Sequence, residues 1–409
     1  MIDGGLARVF PLKKHRFQCC HLATLLLSAA ALIPVAIQAG TADPILASWV
    51  QYVVNGVEVR AVTTDSLCPA LEIEGRTVPM SVRAMPDEKY PNRVCTAPVP
   101  NWTSNIVLAG KPLPAPVAGT PSRVIVMGDS GCRVSDKYGL YQACNNSSIW
   151  PARQVAESAA RTVPELVVYT GDYIYRESPC PAGNNGCKGT PWGDNQATWI
   201  VDWFQPSASV RAAAPLVITR GNHENCSRAG PGWFRYLDAH PFTGQCLDTT
   251  EPWAMVAGTV RIAVLDTNAL KDARGQPLTP LFTKHLAKIR SMLDGPAWIA
   301  THRPFWGFGA DDDTGLPVER TRELQDAVRK AGLPEDTTLL ISAHLHLAQI
   351  VEFGGLRPPQ LVIGNSGTEL VTETHPPATI DGLPVTESRV IYQYGFATME
   401  PETTGSWRL

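Results

Sequence analysis

The residues with most chemical potential in this 409-residue chain fall into five short blocks, each directly after a run of apolar residues. Gly128-Asp129-Ser130-Gly131 follows the run 124–127, Gly171-Asp172-Tyr173-Ile174-Tyr175 follows 166–170, and Gly221-Asn222-His223-Glu224 follows 216–219. Thr301-His302 follows 298–300, and Ala343-His344-Leu345-His346 follows 339–342. Carboxylates, a phenol, an amide and imidazoles are the side chains that ligate metals and bind phosphate. Taken singly, each block has an ordinary explanation. A Gly-Asp pair after a strand is a turn pattern, because glycine supplies unusual backbone angles and aspartate bonds the backbone two residues on. A lone histidine such as His302 is usually a satisfied core or surface residue. His344 and His346 are more telling: two apart in a strand, they share a face, and paired imidazoles suit a metal. The decisive feature is placement. Ligands of open α/β sheets bind outside the carboxyl ends of the strands, so five strand ends deliver these residues to one site.

The elements that must position them change character along the chain. From residue 123 onward, buried apolar strands (124–127, 166–170, 216–219, 260–265, 298–300, 339–342) alternate with helical segments (152–161, 196–204, 280–293, 318–330), the layout of a layered α/β domain. Upstream, from 45 to 116, short alternating stretches such as Val57-Glu58-Val59-Arg60-Ala61-Val62 lack any helical period and read as a small all-β unit. Lys111-Pro112-Leu113-Pro114-Ala115-Pro116 then reads as a stiff linker. The expected division is a leader at 1–42, a small all-β domain with its linker at 43–118, and the α/β domain at 119–409.

Composition bounds the partners. With 44% hydrophobic and 18% charged residues the chain is globular rather than disordered, and 35 Pro with 33 Gly argue against coiled coils and helical repeats. A formal charge of −3 without a basic block argues against a nucleic-acid scaffold. Lys13, Lys14 and Arg16 precede the apolar run 22–37, and Ala39, Gly40 and Ala42 follow, which is the pattern of a secretory signal. That run contains Pro34 and is short against the ~20 residues that span a bilayer, so cleavage is expected rather than a membrane anchor. Removing 1–42 takes away Arg8, Lys13, Lys14, Arg16 and Asp3 and moves the formal charge from −3 to −6. Eight cysteines remain, an even number that in an oxidising compartment reads as a disulfide framework. Nearest-neighbour pairing joins Cys68 to Cys95, Cys132 to Cys144, Cys180 to Cys187 and Cys226 to Cys246, and no C-x-x-C pair suggests zinc instead. The protein is expected to be secreted or periplasmic.

The five blocks, in this order, resemble the signature of the purple acid phosphatases within the calcineurin-like metallophosphoesterases: G-D-x-G, G-D-x-x-Y, G-N-H-D/E, V-x-x-H and G-H-x-H. The resemblance spans 128–346, with Ile299 in place of the fourth block's Val and Ala343 in place of the fifth block's Gly. Gly131 stands where most of the wider superfamily has His, and Tyr175 marks the purple-acid branch. The resemblance implies a layered metallophosphoesterase β-sandwich flanked by helices. It also implies one metal held by Asp129, Asp172, Tyr175 and His346, and a second held by Asp172, Asn222, His302 and His344, with Asp172 bridging. A phenolate with two carboxylates suits Fe(III), whereas imidazoles with an amide oxygen suit Zn(II), Fe(II) or Mn(II); the alternative is a homodinuclear Zn or Mn pair with Tyr175 at most a weak ligand.

Phosphate-monoester hydrolysis needs accelerations up to ~10²¹-fold, whereas one general acid or base contributes about 10² to 10⁴. Two metals clamping the attacking and leaving oxygens supply the difference, and the expected reaction is in-line attack by a metal-bound hydroxide. His223, beside the ligand Asn222, is the candidate to protonate the leaving oxygen. Arg176 and Arg220 adjoin the blocks and are the candidates to bind substrate phosphate, as is Arg133, with a structural ion pair as the rival role for each. The loops 177–192 and 226–246 are expected to lie over the site and set substrate range. His240, His285 and His375 read as loop or helix residues, and Asp311-Asp312-Asp313 as a solvated acidic turn. The function expected is an exported phosphomonoesterase of acid-phosphatase type acting on a small phosphorylated substrate. A phosphodiesterase acting on cyclic nucleotides or lipid head groups, and a non-catalytic metal-binding protein, are the alternatives.

Overall fold

The computed structural model describes residues 43–271, 278–310, 317–319 and 321–409, so the expected leader and the acidic triplet at 311–313 lie outside the described residues. Strands Val124–Met127, Leu166–Tyr169 and Leu216–Ile218 are buried on both faces and pair in parallel, with Leu166 opposite Val124 and Val167 opposite Leu216. Continuous apolar runs are what such doubly covered parallel strands require. A second sheet places Val260–Val264, Ala297–Ala300, Thr337–Ser342 and Gln360–Ile363 side by side in parallel.

The two sheets pack face to face. Val124, Val126, Leu166, Val168 and Val217 of the first meet Ile262, Trp298, Ala300, Ile341 and Leu361 of the second in one core. Because successive side chains of a strand point to opposite faces, Ile125, Met127, Val167 and Tyr169 turn outward. They pack against Val155 and Ala159 of the helix Ala152–Arg161 and against Trp199, Trp203 and Phe204. On the other side Ala263, Ile299 and Leu340 cover Phe282, Leu286 and Ile289 of the helix Thr279–Met292 and Leu324 of the helix Arg322–Ala331. The layers run helix, sheet, sheet, helix, and both sheets bring their strand ends to one seam.

Several expected elements shift. The segment 196–204 is an α-turn, Gln196–Trp199, running into a π-helical stretch, Ile200–Phe204. The helix expected from 318 begins at Arg322, because Pro317–Glu319 pairs as a strand with Phe308–Ala310. Strands Ala348–Glu352, Glu387–Ile391 and Ala397–Pro401 complete the sheets beyond the last motif.

Residues 43–118 are all β, and they do not stand apart from the rest. Ile45–Val53 pairs in parallel with Leu216–Ile218 through Gln51 and Leu216, so Gly56–Thr63, Arg93–Val99 and Ser81–Ala84 extend the first sheet to nine strands. The expected linker is partly a strand, Lys111–Leu113, in a separate four-stranded sheet. Fully buried Trp49 stands edge-on to Trp203 at 5.5 Å and beside Phe204 at 6.1 Å. Arg60 donates to the carbonyls of Tyr236 and Asp238, and Arg83 to those of Phe234, Arg235, Asp238 and His240. All four cysteine pairs are joined as the nearest-neighbour reading expects. Among the described residues no helix is long and apolar enough to cross a membrane.

Trp49→Ala removes a buried ring that ties the N-terminal strands to the helical layer, and such truncations cost about 3–5 kcal/mol. Urea unfolding should show a single transition at lower midpoint; an unchanged midpoint would mean the N-terminal strands do not share the core's stability.

Candidate metal centre

The first sheet supplies Asp129, Asp172, Tyr175, Asn222 and His223 from the ends of its parallel strands, and the second supplies His302, His344 and His346. Backbone hydrogen bonds stitch these ends together. The amide of Asp129 donates to the Gly171 carbonyl at 3.0 Å, that of Ser130 to Asp172 at 3.2 Å, and that of Ala343 to His302 at 2.9 Å. Three of the donor residues sit in the left-handed region, Asp129 at φ 52°, Asp172 at φ 56° and His344 at φ 70°. Such backbone strain in non-glycine residues costs of order 1–3 kcal/mol each and persists where the surroundings over-determine it. Glycines make room: a Cβ at Gly221 would stand 2.0 Å from Asp172 Oδ1, and one at Gly364 would stand 2.2 Å from Asp129 Oδ2.

All seven expected donors come together. Tyr175 Oη lies 2.7 Å from Asp172 Oδ2, 3.3 Å from Asp129 Oδ1 and 3.0 Å from His346 Nε2. On the other side of Asp172, His302 Nε2 lies 3.2 Å from the same Oδ2 and 3.1 Å from Asn222 Oδ1. Asp172, His302 and His344 offer ligand atoms within 4.8 Å of one another. His302 Nδ1 donates to the Thr170 carbonyl at 2.8 Å, and His346 Nδ1 donates to the Glu369 carbonyl at 2.9 Å. A neutral imidazole so tied has its Nε2 lone pair aimed at the carboxylate cluster, the usual way an outer partner orients a metal-binding histidine.

This arrangement fits a cation. Asp129 Oδ2 is buried without a hydrogen-bond partner, and acceptor atoms face one another around Asp172 with few protons to share. Burial and the neighbouring Asp172 carboxylate push the Asp129 carboxyl well above its ordinary range, and burial with both carboxylates pushes the Tyr175 phenol up. Burial also opposes ionisation of Asp172, yet the His302 and His223 imidazoles hold its pKa well below the ordinary value. Bound metal ions would invert this crowding by supplying the missing positive charge.

Gly131 and Tyr175 are complementary. A Cβ at residue 131 would lie 2.8 Å from the Tyr175 ring and 2.7 Å from the Tyr173 carbonyl, so glycine at this position is what lets the phenol reach the cluster. Ala343 is accommodated because its neighbour is Gly128, and its own backbone stays outside the left-handed region.

His223 is 7% exposed at the edge of the cluster, its Nε2 3.9 Å from Asp172 Oδ2 and its Nδ1 2.9 Å from Glu177 Oε1. Burial lowers its pKa. Its ring is 3.8 Å from that of Tyr175. Glu177 is itself held by Arg228 Nε at 2.7 Å. Two of the candidate arginines are engaged in ion pairs. Arg176 is buried in an ion pair with Asp202 and lies over Trp150, and Arg220 pairs with Asp266 at 3.3 Å and donates to the Glu224 and Leu247 carbonyls. Both guanidiniums make the structural ion pairs that are the rival to phosphate binding. His240 pairs with Asp238 in its loop at 3.0 Å, His285 packs on Phe282, and His375 is exposed.

One essential support escaped the sequence reading although it ends the third block. The Glu224 carboxylate accepts from the amides of Tyr173 at 2.8 Å and of Asp172, Ile174 and Gly221 at 3.1 Å, fixing the turn that carries Asp172.

Residues 122–347, more than half the chain, match the model of the family described as calcineurin-like phosphoesterase. The chain belongs to the calcineurin-like phosphoesterase family. Its fold is similar to that of the purple acid phosphatase PPD1 from yellow lupin (Lupinus luteus) seeds, with TM-score 0.51 and 14% identity over 86% of this chain and 69% of that one. PhoD follows with TM-score 0.47 and 11% identity over 88% of this chain and 85% of that one, and a dimetal phosphatase from Danio rerio with 0.38 and 13% over 70% and 93%. No curated protein matches the sequence. Membership makes this a phosphoesterase, a hydrolase of phosphoric ester bonds.

Glu224→Ala leaves four buried amides without their shared acceptor, and an unsatisfied buried group costs about 1–3 kcal/mol. Unfolding should show a loss of several kcal/mol together with reduced metal content, whereas unchanged stability and metal loading would mean the turn holds Asp172 unaided.

Proposed function

We propose that this phosphoesterase is an exported enzyme that hydrolyses phosphomonoesters at a dinuclear centre, with Asp129, Asp172, Tyr175 and His346 holding one metal ion and Asp172, Asn222, His302 and His344 the other. The observation that carries the reading is the position of Asp172, whose Oδ2 is 2.7 Å from the phenol of one donor set and 3.2 Å from an imidazole of the other. A carboxylate so placed belongs to both sets and would be shared by the ions they would hold. The hard anionic set suits Fe(III) and the imidazole and amide set a divalent ion such as Zn(II), Fe(II) or Mn(II). When bound, the pair supplies Lewis acidity toward the phosphoryl oxygens and toward water.

The chain's own residues do the rest. Asp172 and the carbonyl-tied imidazoles fix the centre, and the sheet seam excludes bulk water from all but its mouth, where Asn222, His344 and Glu177 are partly exposed. His223 holds the proton that the leaving alkoxide needs, with Glu177 at Nδ1 orienting the ring so that Nε2 faces the centre. The eight paired cysteines and the basic, then apolar, leader sequence support export.

Metal-loaded protein should turn over small phosphomonoesters and act far more slowly on diesters; a preference for cyclic nucleotides or other diesters would overturn the monoester reading. His223→Ala should lose about 10² to 10⁴ in kcat on alkyl phosphates, the usual share of one general acid, and much less on esters whose leaving group needs no proton. Full turnover of an alkyl phosphate by that variant would remove the acid role.

A further inference from the structure

The four disulfides differ in what surrounds them. In three of them at least one partner is buried, Cys95 in the first, Cys132 and Cys144 in the second and Cys187 in the third. Both residues of the fourth, Cys226 and Cys246, are partly exposed. This bond also touches a buried guanidinium: Arg220 Nη2 lies 3.7 Å from Cys226 Sγ and 3.8 Å from Cys246 Sγ. The same guanidinium supports the third block from behind. Its Nε donates to the Glu224 carbonyl at 2.8 Å and its Nη1 to the Leu247 carbonyl at 2.8 Å, with Asp266 Oδ2 at 3.3 Å. Glu224 is the residue whose carboxylate holds the turn of Asp172. One cation thus joins a partly exposed disulfide to the backbone that carries Asn222 and His223.

A disulfide opens by attack of a thiolate on one sulfur, and it opens most readily where the attacked sulfur is accessible and the departing thiolate is stabilised. A neighbouring cation stabilises a thiolate. The two sulfurs are not equivalent. Cys246 packs on the aromatic layer that contains Trp233 and Phe234, and a Cβ at Gly230 would stand 2.7 Å from its Sγ, so approach is from the side of Cys226. We infer that Cys226–Cys246 is a redox site, opened by a dithiol reductant ahead of the other three disulfides and coupled through Arg220 to metal binding at the centre. A thiolate of the reductant attacks Cys226 Sγ and bonds to it, while the Cys226–Cys246 bond breaks and its electron pair leaves on Cys246, beside Arg220. The second thiolate of the reductant attacks the reductant sulfur held by Cys226, closing the reductant into a cyclic disulfide and releasing Cys226. Two electrons pass to the protein, the dithiol is oxidised, and its two protons end on the cysteines or in solvent. The Cys246 thiolate then competes with the Glu224 and Leu247 carbonyls for the guanidinium, and the loop 226–246 loses its tie. Both effects loosen the block that carries Asn222 and the Glu224 support of Asp172.

The test equilibrates zinc-loaded protein, whose metal is not itself reduced, with stepped ratios of reduced to oxidised dithiothreitol. Free thiols are trapped with iodoacetamide and the labelled cysteines mapped by mass spectrometry. Cys226 and Cys246 should be labelled at ratios that leave the other three pairs joined, and any other pair opening first overturns the inference. Arg220→Gln removes the charge and should need a ratio roughly tenfold more reducing to open the same bond, whereas a ratio within about twofold of wild type overturns the inference. Should that variant fail to fold, the order of opening in the wild-type chain still decides. The coupling is read without reductant, because thiolates bind zinc themselves. Cys226→Ser/Cys246→Ser should bind zinc roughly tenfold more weakly than wild type in competition with a chromogenic chelator, and wild-type affinity overturns the coupling. If the double variant does not fold, wild-type protein opened at this one bond and freed of reductant by gel filtration takes its place in the same competition. The coupling rests on the proposed metal centre, whose failure is separate: wild-type protein that loads no metal sinks the centre, while the order of disulfide opening is still measured on the unloaded chain.

Discussion

The centre is organised around a single buried carboxylate. Asp172 stands where the strand ends of both sheets meet, touched by the Tyr175 phenol from one side and the His302 imidazole from the other. Its backbone adopts a left-handed conformation that Glu224 enforces through the amides around it, and a Cβ at Gly221 would collide with its Oδ1. The stability of the four layers holds the site in place. The core between the sheets fixes the spacing of their ends, and the hydrogen bond from His302 to the Thr170 carbonyl carries that spacing across the seam to the reacting atoms.

The site is crowded with groups that would all be anionic or lone-pair donors at once. Such a cluster is unfavourable in a low-dielectric interior unless a multivalent cation is present, and the orphaned Asp129 Oδ2 and the raised pKa values of Asp129 and Tyr175 express that cost.

Much of this was legible in the sequence because the donors terminate strands, and strand ends of parallel sheets converge whatever the loops between them do. The apolar runs at 124–127, 260–265 and 339–342 marked core strands to within a few residues for the same reason. The arginines were legible only in part: Arg133, named beside the first block, does lie against His346 and Tyr175, whereas Arg303 was not singled out. Arg176 follows Tyr175 in extended backbone, bridged to Val134, so its side chain points to the opposite side from the phenol and meets Asp202. Arg303 and Arg133 are brought to the centre by bends whose direction depends on tertiary packing. The join of the N-terminal strands to the first sheet was hidden too, because it rests on the pairing of Gln51 with Leu216, residues far apart in the chain. Lys111, Pro112 and Leu113 read as linker, yet they pair as an edge strand, where the missing amide of Pro112 is tolerated.

The proposed centre is a bridged pair of metal ions with the Tyr175 phenol on one of them. Metal analysis of the purified protein together with its visible absorption spectrum tests it most directly. About one iron and one further metal per chain, with a tyrosinate-to-iron charge-transfer band that Tyr175→Phe abolishes, is the result the account predicts. Two equivalents of zinc or manganese and no colour would contradict the iron assignment and reduce Tyr175 from ligand to neighbour, and no bound metal at all would contradict the centre itself.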